Sequence, residues 1–572
     1  MSSALLFSLL KSQHIRDVDH ALAMSLLRLD PQTSSLVAIA AALASKAHSL
    51  GHSCLPLDKL SELLREASNS PVSDLPTTIE FIDALQSSRW LARDSAHNAI
   101  LVLEENTIAL KRYRDYEERL ARALSVRLEV VAEPISSSVN NFHAQLFSDD
   151  LQSAQALAAM RACESRFFLL TGGPGTGKTA TIGRLLQLLK YQANEKNESL
   201  RIALAAPTGK AATRLTESLQ LALKRLPAAL LMKTEHDEAK TLHRLLGSKP
   251  NSVQFQHNAS QPLPLDVLMV DEASMIDLPL MCKLLEALPL KARLILVGDP
   301  DQLPSVETGN VLRACCDAIV LRSDNTQHRV HLDRVYRQTA DSDIVSAAQD
   351  VLSGEGEHFI QGLKQNSYRG LHWRDCSGPA LEKIIQQQAV THYQKIQQCG
   401  SLEQALLLSK HFRVLCAARE TSAGSIAINR FISERLHKKA DAIFYAGRLC
   451  LVTENTVREQ LFNGDIGLCW PDAHGIMRIW VDTANGLRAW HPANFPAHED
   501  AFAITVHKAQ GSEFEKVLLV LPEAGHRVLS RELLYTGLTR ARREIDVCSS
   551  QASLLAAITR QNLRWGRRAR RL

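Results

Sequence analysis

The sequence predicts an α/β protein with two parallel-sheet domains, a helical domain before them and a small β-barrel inserted into the second. From Ala154 onward, apolar strand patterns alternate with helical patterns, which is typical of parallel sheets covered by helices on both sides. A glycine-rich loop joins the first of these strands to the helix after it. Between Gly447 and Pro496, short apolar runs are split by Asn-Gly and Pro-Asp turns, which indicates β-hairpins.

The composition is that of a globular protein with several domains. The chain has 572 residues, of which 45% are hydrophobic and 22% are charged, so it is long enough for three or four domains. The net charge is only +5, and a nucleic-acid-binding surface would therefore have to be local. None of the eleven cysteines belongs to a C-x-x-C pair, which argues against zinc and iron–sulfur sites and for reduced thiols in a cytosol.

The N-terminal segment does not have the pattern of a targeting or membrane segment. The string MSSALLFSLLKSQ has no basic head before its apolar run, so a signal peptide is not expected. The longest apolar stretch of the first domain, Leu36 to Ala44, is too short to span a bilayer. We therefore expect a cytoplasmic protein with no membrane partner.

Residues 1–115 form a predicted helical domain that carries no catalytic constellation. Apolar residues recur at three- and four-residue spacing over Leu57–Glu66 and Ile108–Leu124, which predicts two of its helices. Residues 116–149 are predicted to be a linker. Within them, Ser136–Asn141 (SSSVNN) has the composition of a polar linker or turn.

The string GGPGTGKT matches the phosphate-loop pattern G-x-x-x-x-G-K-[ST]. The apolar strand Arg166–Thr171 runs into it and the helical stretch Ala180–Leu189 runs out of it. Glycines allow successive N–H groups to surround the phosphates of a nucleotide, while Lys178 adds a positive charge and the Thr179 hydroxyl can bind Mg²⁺. A glycine-rich turn without a ligand is the alternative, against which the complete motif argues. The predicted nucleotide-binding residues of the loop are Gly172, Gly173, Pro174, Gly175, Thr176, Gly177, Lys178 and Thr179.

A later strand pattern, Asp266–Glu272, ends in the two acidic residues Asp271 and Glu272. Asp271 would hold Mg²⁺, and Glu272 would polarise the water that attacks ATP. Two solvated acids at a strand end are the ordinary alternative, but the preceding phosphate loop favours catalysis. Gln302, which lies after the strand Ala292–Val297, can hydrogen-bond the γ-phosphate or the attacking water. The sequence thus predicts ATP hydrolysis.

Further strands and helices complete the two parallel-sheet domains. The clearest of them are the strands Arg201–Ala206, Phe412–Ala417 and Lys516–Leu521, the helices Lys210–Leu226 and Arg531–Arg542, and a final strand Ile545–Cys548. The predicted domains are 1–115, the linker 116–149, 150–325, 326–446 with 500–572, and the inserted barrel 447–499. Trp470, Trp480 and Trp490 fall in the barrel, where burial in its core is a better interpretation than stacking on bases.

Nine strings resemble the numbered motifs of superfamily 1 DNA helicases in their order and spacing. Within that superfamily they are most similar to the motifs of the RecD family, the alpha subunits of exodeoxyribonuclease V. The resemblance covers residues 150 to 550 and implies two RecA-like motor domains and an SH3-like barrel as the insertion. Stand-alone RecD-like helicases carry additional N-terminal repeats, for which this chain has no room, so the complex-bound subunit is favoured. The strings are GGPGTGKT, APTGKAATRLTESL, TLHRLLG, VDEASMIDL, GDPDQLPSV, LCAARE, FNGDIG, TVHKAQGSEF and ELLYTGLTRAR.

The resemblance also implies roles for individual residues. Gln155 would bind the adenine, and Tyr336 would stack on it. Arg337 and Arg540 would reach the γ-phosphate, Arg540 as an arginine finger that the second motor domain donates across the cleft. For any one Arg or His taken alone, a surface or capping role is the better interpretation. The other implied nucleotide contacts are Gly511 and Glu513, and the residues implied along a DNA track are Thr208, His243, Thr505 and His507.

The implied function is that of an ATP-dependent 5′-to-3′ helicase and translocase on single-stranded DNA, with ATP and Mg²⁺ as cofactors. The implied partners are DNA, as single strands and duplex ends, and RecB-like beta and RecC-like gamma subunits in a heterotrimer. That complex would act in double-strand break repair and homologous recombination, and residues 1–115 would dock onto it. A nuclease centre is expected on another subunit, because no compact Asp/Glu/Lys cluster stands outside the ATP motifs.

An ATP-gated DNA-binding or regulatory subunit without strand separation of its own is the alternative function. The intact Glu272 and Arg540 argue against it, since both residue types serve hydrolysis. A short APTGKAA turn at a helix start could still bind a nucleic-acid phosphate in either case. For the basic tail, Arg564–Arg571, contact with DNA or a partner and a solvated end stay equally open.

Overall fold

The structure is a computed structural model that contains four sheets, two of them parallel and two antiparallel, within the residues it describes. The described residues are 2–67, 75–92, 99–129, 134–232, 238–249, 252–321, 327–336, 342–376, 378–437, 443–456, 459, 461–483 and 486–566. Over these ranges, no helix combines the length and the apolar character that crossing a bilayer requires. The predicted fold class, α/β with two parallel sheets and a helical N-terminal region, is confirmed.

The N-terminal domain is mainly helical and surrounds one buried helix. Its elements are α1 (Ser2–Lys11), α2 (Asp17–Leu29), α3 (Ser35–Ser49), β1 (Leu55–Pro56), α4 (Leu60–Ala67), α5 (Thr78–Gln86), β2 (Leu101–Glu104) and β3 (Thr107–Leu110). Ser34 caps α3 by accepting a hydrogen bond from the backbone N–H of Leu36. Val37 to Ala44 of α3 are all buried, because α2, α5 and the small antiparallel sheet β1-β3-β2 pack around them.

The helix predicted over Ile108–Leu124 is wrong at its start. Residues up to Leu110 belong to β3, which pairs with β2 so that Leu101 stands opposite Leu110. The helix α6 (Lys111–Leu128) begins only after this hairpin. Strand pairing overrides the helical spacing here, because Ile108 is buried in the N-terminal core as part of the sheet.

The stretch 116–149, predicted to be a linker, holds most of α6 and the helix α7 (Ser137–Leu146). The polar turn expected at Ser136–Asn141 is wrong, because Ser136 is an N-cap that accepts a hydrogen bond from the backbone N–H of Val139. Arg127 of α6 is buried and anchors that helix to the next domain. Its guanidinium donates to the carbonyl oxygens of Leu285, Leu288, Pro289 and Leu290.

The first parallel-sheet domain is built on six strands. Its elements are α8 (Ala154–Glu164), β4 (Phe167–Gly172), α9 (Lys178–Glu195), β5 (Ile202–Ala206), α10 (Gly209–Lys224), β6 (Lys240–Thr241), α11 (Leu242–Leu246), β7 (Val267–Val270), α12 (Leu278–Ala287), β8 (Arg293–Gly298), α13 (Val311–Leu321) and β9 (Arg329–Leu332). The strand order is β6-β5-β7-β8-β4-β9, and every neighbouring pair is parallel. Two apolar cores cover the two faces of the sheet, as a parallel sheet requires.

The second parallel-sheet domain has five strands in the order β10-β19-β18-β11-β17. Its elements are α14 (Ile344–Ser353), α15 (Gly356–Lys364), β10 (Leu371–Asp375), α16 (Pro379–Ile385), α17 (Thr391–Gln397), α18 (Leu402–His411), β11 (Phe412–Cys416), α19 (Ser425–Leu436) and, after an insertion that holds β12 to β16, β17 (Ala503–Thr505), β18 (Phe514–Val520), α20 (Arg531–Leu538), β19 (Ala541–Ser549) and α21 (Gln551–Thr559). The helix predicted over Arg531–Arg542 is therefore too long. It ends in a turn in which the Arg540 N–H donates to the Gly537 carbonyl, and Ala541 then pairs with Phe514 in the sheet.

The insertion is a five-stranded antiparallel sheet. Its strands are β12 (Leu449–Val452), β13 (Ile466–Pro471), β14 (Met477–Thr483), β15 (Gly486–Trp490) and β16 (His498–Asp500), in the order β15-β14-β13-β12-β16. Among the described residues, the two edge strands do not pair with each other, and the SH3-like barrel stays a prediction. Trp490 is buried in the core of the insertion as expected, whereas Trp470 is buried in the core of the second parallel-sheet domain. Trp480 is half-buried, and its indole N–H donates to the Trp470 carbonyl.

The described C-terminal segment, 560–566, returns to the N-terminal domain. The Trp565 ring stacks on His52, with ring centroids 4.0 Å apart, and the Ser53 N–H donates to the Trp565 carbonyl at 2.9 Å. Arg564 donates to the carbonyls of Ser305 and Gly309, which belong to the first parallel-sheet domain. The start of the basic tail is thus bound within the chain, while Arg567 to Arg571 lie outside the described residues.

Candidate active site

The phosphate loop lies between β4 and α9, at the carboxyl end of a central strand. Gly175 and Gly177 have φ angles of 78° and 87°, which favour glycine because other residues are strained there. The Lys178 ammonium donates to the carbonyls of Gly172 and Gly173 at 2.7 and 2.8 Å. The loop therefore holds a positive charge in place, beside backbone N–H groups at the start of a helix.

Gln155 and Tyr336 flank the same loop. The Gln155 amide donates to the Thr176 carbonyl at 3.0 Å, and a Cβ placed on Gly177 would collide with that amide. The Tyr336 N–H donates to the Gly175 carbonyl at 2.9 Å, and its ring stays 49% exposed. Gln155 is buried whereas Tyr336 is open to a ligand, and both side chains lie next to the position that a Cβ on Gly177 would take.

The two acidic residues come after β7, two strands away from the loop in the sheet. The Glu272 N–H donates to the Asp271 carboxylate at 2.9 Å. Glu272 has a φ of +52°, a conformation that non-glycine residues adopt uncommonly. Burial, with the charge of Glu272 adding to it, raises the pKa of Asp271 to about 6. A cation beside Asp271 would offset this effect.

Gln302 lies where the two parallel-sheet domains meet. Its amide donates to the Asp299 carboxylate at 3.0 Å, and the Tyr535 hydroxyl of the second domain donates to the same oxygen at 2.9 Å. The next residue, Leu303, donates its N–H to the Thr536 hydroxyl at 2.9 Å and accepts from the Gln510 amide at 2.8 Å. Within the described residues, the Gln302 amide oxygen is buried without a hydrogen-bond partner.

The second domain holds Arg540 by its own backbone. The Arg540 guanidinium is buried and donates to the carbonyls of Thr536 and Ser512 at 3.1 and 3.3 Å. Glu513 forms an ion pair with Arg542 at 3.1 Å. The Arg540 guanidinium is thus oriented by hydrogen bonds within the second domain.

One cavity of about 730 Å³ brings most of the predicted residues together. Its lining includes Gln155, Pro174, Gly175, Gly177, Lys178, Thr179, Asp271, Glu272, Gln302, Tyr336, Gly511, Glu513 and Arg540. Gly172, Gly173 and Thr176 belong to the loop but do not line the cavity. Arg337 lies outside the described residues. The arrangement supplies cations, backbone donors and carboxylates around a space with room for a nucleotide.

The four residues predicted along a DNA track lie elsewhere, at the carboxyl edges of the two sheets. Thr208 and His243 come after the adjacent parallel strands β5 and β6, and Thr208 caps α10 by accepting from the Ala211 N–H at 3.2 Å. Thr505 ends β17, the edge strand of the second sheet, and His507 lies two residues later. None of the four lines the cavity that Lys178 and Arg540 share.

Three family models match the chain. The model of the RecBCD enzyme subunit RecD N-terminal domain matches residues 11–108. An AAA domain model matches residues 155–308, which hold the phosphate loop, and a UvrD-like helicase C-terminal domain model matches residues 500–547. The three matches succeed one another in the order of the helical domain and the two parallel-sheet domains.

Curated relatives match almost the whole chain. The RecBCD enzyme subunit RecD of Mycobacterium tuberculosis is 33% identical over 558 residues, which cover 96% of this chain and 93% of that protein. The chain belongs to the RecD family. The RecD subunit of Haemophilus influenzae is also 33% identical, over 92% of this chain and 91% of its own length.

More distant relatives share only part of this RecD-family chain. The ATP-dependent RecD2 DNA helicase of Deinococcus radiodurans is 33% identical over 72% of this chain and 51% of its own length. A solved structure of Bacteroides Pif1 bound to single-stranded DNA is 15% identical, covers 73% of this chain and 92% of that chain, and gives a TM-score of 0.37.

The sequence predicts no role for several residues at the site, and Asp299, Tyr535 and Arg214 are three of them. Each of the three lies inside a string that resembles a RecD family motif. Within the strings that hold Asp299 and Tyr535, the resemblance assigns a role only to Gln302 and Arg540. The bond between Tyr535 and Asp299 joins residues 236 positions apart, so no local pattern reveals it. Arg214 lines the cavity from α10, three residues after Ala211, which lines it too, and the sequence does not show that either residue reaches the cavity.

Proposed function

We propose that this RecD-family chain is the ATP-driven motor subunit of a RecBCD-type enzyme, moving 5′ to 3′ on single-stranded DNA. One observation carries the proposal: a single cavity between the two parallel-sheet domains is lined by the phosphate loop, Glu272 and Gln302 on one side and by Arg540 on the other. Family membership supports the helicase activity. Polarity is supported only by the family resemblance of the motifs.

Mg²⁺ is part of this proposal. Thr179 and Asp271 both line the cavity, and hydroxyl and carboxylate oxygens are the donors that Mg²⁺ prefers, together with phosphates and water. Among the described residues, no group of three or more His, Cys, Asp or Glu is arranged to hold a metal. Bound Mg²⁺ would neutralise developing charge on the phosphate oxygens.

The residues of the chain divide the hydrolysis between them. Lys178 would bind the β- and γ-phosphates. Water would attack the γ-phosphorus while the bond between that phosphorus and the bridging oxygen breaks and ADP leaves. Glu272 would accept a proton from the attacking water. Arg540 would stabilise charge on the transferring phosphoryl group. Because Arg540 belongs to the second domain, the γ-phosphate would favour a closed cleft and its loss would let the cleft open.

The proposed partners are DNA and RecB-like beta and RecC-like gamma subunits. The match of residues 11–108 to the RecD N-terminal domain supports docking through that domain. Phe7 of α1 and Leu29 of α2 are 62% and 68% exposed, which a partner surface would cover. We further infer that the complex works in the cytoplasm, in double-strand break repair and homologous recombination, with its nuclease centre on another subunit.

The alternative is an ATP-gated DNA-binding or regulatory subunit that does not separate strands. It is disfavoured, because a curated relative is an ATP-dependent DNA helicase and the chain keeps Glu272 and Arg540 in the cavity. The two functions differ in one outcome, strand displacement by the chain itself.

The test is strand displacement and ATP turnover by the purified full chain, on duplexes with a 5′ or a 3′ single-stranded tail. We expect unwinding of the 5′-tailed duplex only. Lys178→Gln should lower ATP turnover by about 10³-fold or more, since Lys178 lines the cavity and would face the transferring phosphoryl group. Lys190→Gln, on the same helix but outside the cavity lining, is the matched control and should stay within twofold. Near-normal turnover in Lys178→Gln would refute the proposal, and ATP turnover without unwinding would favour the alternative.

A further inference from the structure

Arg214 lies in the nucleotide cavity and has no part in the proposed hydrolysis. It belongs to α10 and lines the cavity together with Glu272, Glu513 and Arg540. Over the described part of the chain, its guanidinium donates no hydrogen bond and forms no ion pair within 4 Å, although it is half-buried. A guanidinium carries five donors, so this side chain is available to a ligand that enters the cavity.

The charges around Arg214 favour an anion at this place. Burial lowers the pKa of Arg214 and the cations Arg540 and Arg542 lower it further, while Glu513 and Glu272 raise it in part. Lys178 adds another positive charge to the same cavity. Guanidinium groups bind phosphate oxygens well, because two N–H groups can donate in parallel.

The helix that carries Arg214 also touches the second domain and the predicted DNA track. A Cβ on Gly209, at the start of α10, would collide with the Phe462 ring of the insertion, so the two are in close contact. Gly511 of the second domain lies against Ala211. Thr208, predicted to contact DNA, caps the same helix. Arg214 lies six residues later, about 9 Å along the axis at 1.5 Å per residue.

We propose that Arg214 is a nucleotide-contacting residue that binds a phosphate of the nucleoside triphosphate and connects it with the DNA-facing end of α10. The inference rests on the proposed function, since it takes the cavity as the ATP site and the start of α10 as part of the DNA track. A helix moves as a rigid element, so DNA at its N-terminus and phosphate at Arg214 would select one position of α10. Each ligand would then raise the affinity for the other by the same factor.

The experiment titrates the full chain with a fluorescent, non-hydrolysable ATP analogue, with and without oligo(dT). Arg214→Ala should raise the Kd of the analogue about tenfold or more, the range for loss of a charge-assisted hydrogen bond. Arg214→Lys should recover part of this loss, because it keeps the charge but not the two-pronged geometry. The matched control is Lys224→Ala, on the exposed end of the same helix, which should stay within twofold.

The second readout is the coupling between the two ligands. Oligo(dT) should lower the Kd of the analogue in the unmodified chain, and Arg214→Ala should remove most of that difference. If Arg214→Ala does not fold, Arg214→Gln removes the charge at similar length and is scored in the same way. Unchanged affinity, or unchanged coupling, in the alanine or glutamine variant would overturn the inference. Failure of the unmodified chain to bind the analogue would instead refute the proposed function.

Discussion

The two parallel-sheet domains share their architecture but differ in the segment that comes directly after a central strand. In the first domain, β4 runs into a loop where Gly175 and Gly177 have positive φ angles and Lys178 begins a long helix. In the second, β11 ends at Cys416 and is succeeded by the string AARE, which contains no glycine. The first domain is therefore built to bind phosphates through its backbone, while the second completes the cavity with side chains.

The two halves of the cavity, one from each parallel-sheet domain, also hold their charged residues in different ways. Lys178 is fixed by carbonyls of its own loop, and Arg540 by carbonyls of its own domain. Between them, hydrogen bonds such as those from Tyr535 to Asp299 and from Leu303 to Thr536 join the domains beside Gln302. Preoriented charges of this kind stabilise a transition state without further reorganisation. Changes in the first half should therefore remove chemistry, changes in the second should separate chemistry from binding, and changes at the joining bonds should have smaller effects.

Among the changes that test this comparison, the largest effect on kcat is expected for Glu272→Gln in the first domain. The amide cannot accept the proton of the attacking water, so kcat for ATP should fall by about 10³-fold while affinity for an ATP analogue changes by only a few-fold. Steady-state turnover and analogue titration measure the two quantities. Glu357→Gln, in the exposed first turn of α15, is the control for loss of a carboxylate and should not alter turnover. A kcat within tenfold of the unmodified chain would mean that Glu272 is not the base.

A somewhat smaller effect is expected for Arg540→Ala in the second domain. Affinity for nucleotide should stay within about tenfold, while kcat falls by about 10²-fold or more, because the charge acts mainly on the transition state. The matched control is Arg543→Ala, three residues after Arg540. It removes an exposed ion pair with Glu515 and should leave kcat unchanged. If the affinity of Arg540→Ala for nucleotide fell by the same factor as kcat, Arg540 would bind ATP in the ground state. The proposed difference between the two halves of the cavity would then be wrong.

The first half of the cleft is more predictable from sequence than the second. The phosphate loop is a contiguous string between a strand and a helix, so Gly172 to Thr179 can be assigned locally. The bond from Tyr535 to Asp299 depends on how two domains pack, and no single-sequence pattern contains it. Thr208 and Thr505 lie at the carboxyl ends of strands in two different sheets. Their contact with DNA stays a prediction.

Errors in the predicted elements have physical causes of the same kind. SSSVNN is polar and resembles a turn, yet Ser136 caps a helix whose Phe142 and Leu146 are buried against the first domain. The helix predicted from Arg531 ends before Arg540 because sheet pairing of Ala541 with Phe514 takes over. In each case a tertiary contact overrides a local preference.

Tyr535→Phe tests the bonds that join the two halves. The change removes only the hydroxyl that donates to Asp299, so kcat should fall about fivefold, less than for Glu272 or Arg540. A hydrogen bond to a charged group contributes about 1.5–3 kcal/mol in total, and only part of it, about 1 kcal/mol, would act on the barrier. Tyr393→Phe removes a buried hydroxyl that donates to the Phe502 carbonyl inside the second domain, and it should lower stability without changing kcat. A double-mutant cycle with Asp299→Asn should be non-additive. Equal kcat in the two phenylalanine variants would show that this bond is only structural.

The smallest effect is expected where the second parallel-sheet domain contacts the N-terminal domain. Its C-terminal segment stacks Trp565 on His52, and the Gly309 N–H of the first domain donates to the Gly51 carbonyl beside it at 2.9 Å. Trp565→Ala should raise hydrogen exchange over residues 51–54, by the equivalent of about 0.5–1.5 kcal/mol for a lost ring pair, with ATP turnover within twofold. Leu563→Ala, two residues earlier and 65% exposed, should leave exchange unchanged. A turnover defect in Trp565→Ala as large as that of Tyr535→Phe would show that this segment also controls the cleft, because the N-terminal domain would then be coupled to the motor rather than only attached to it.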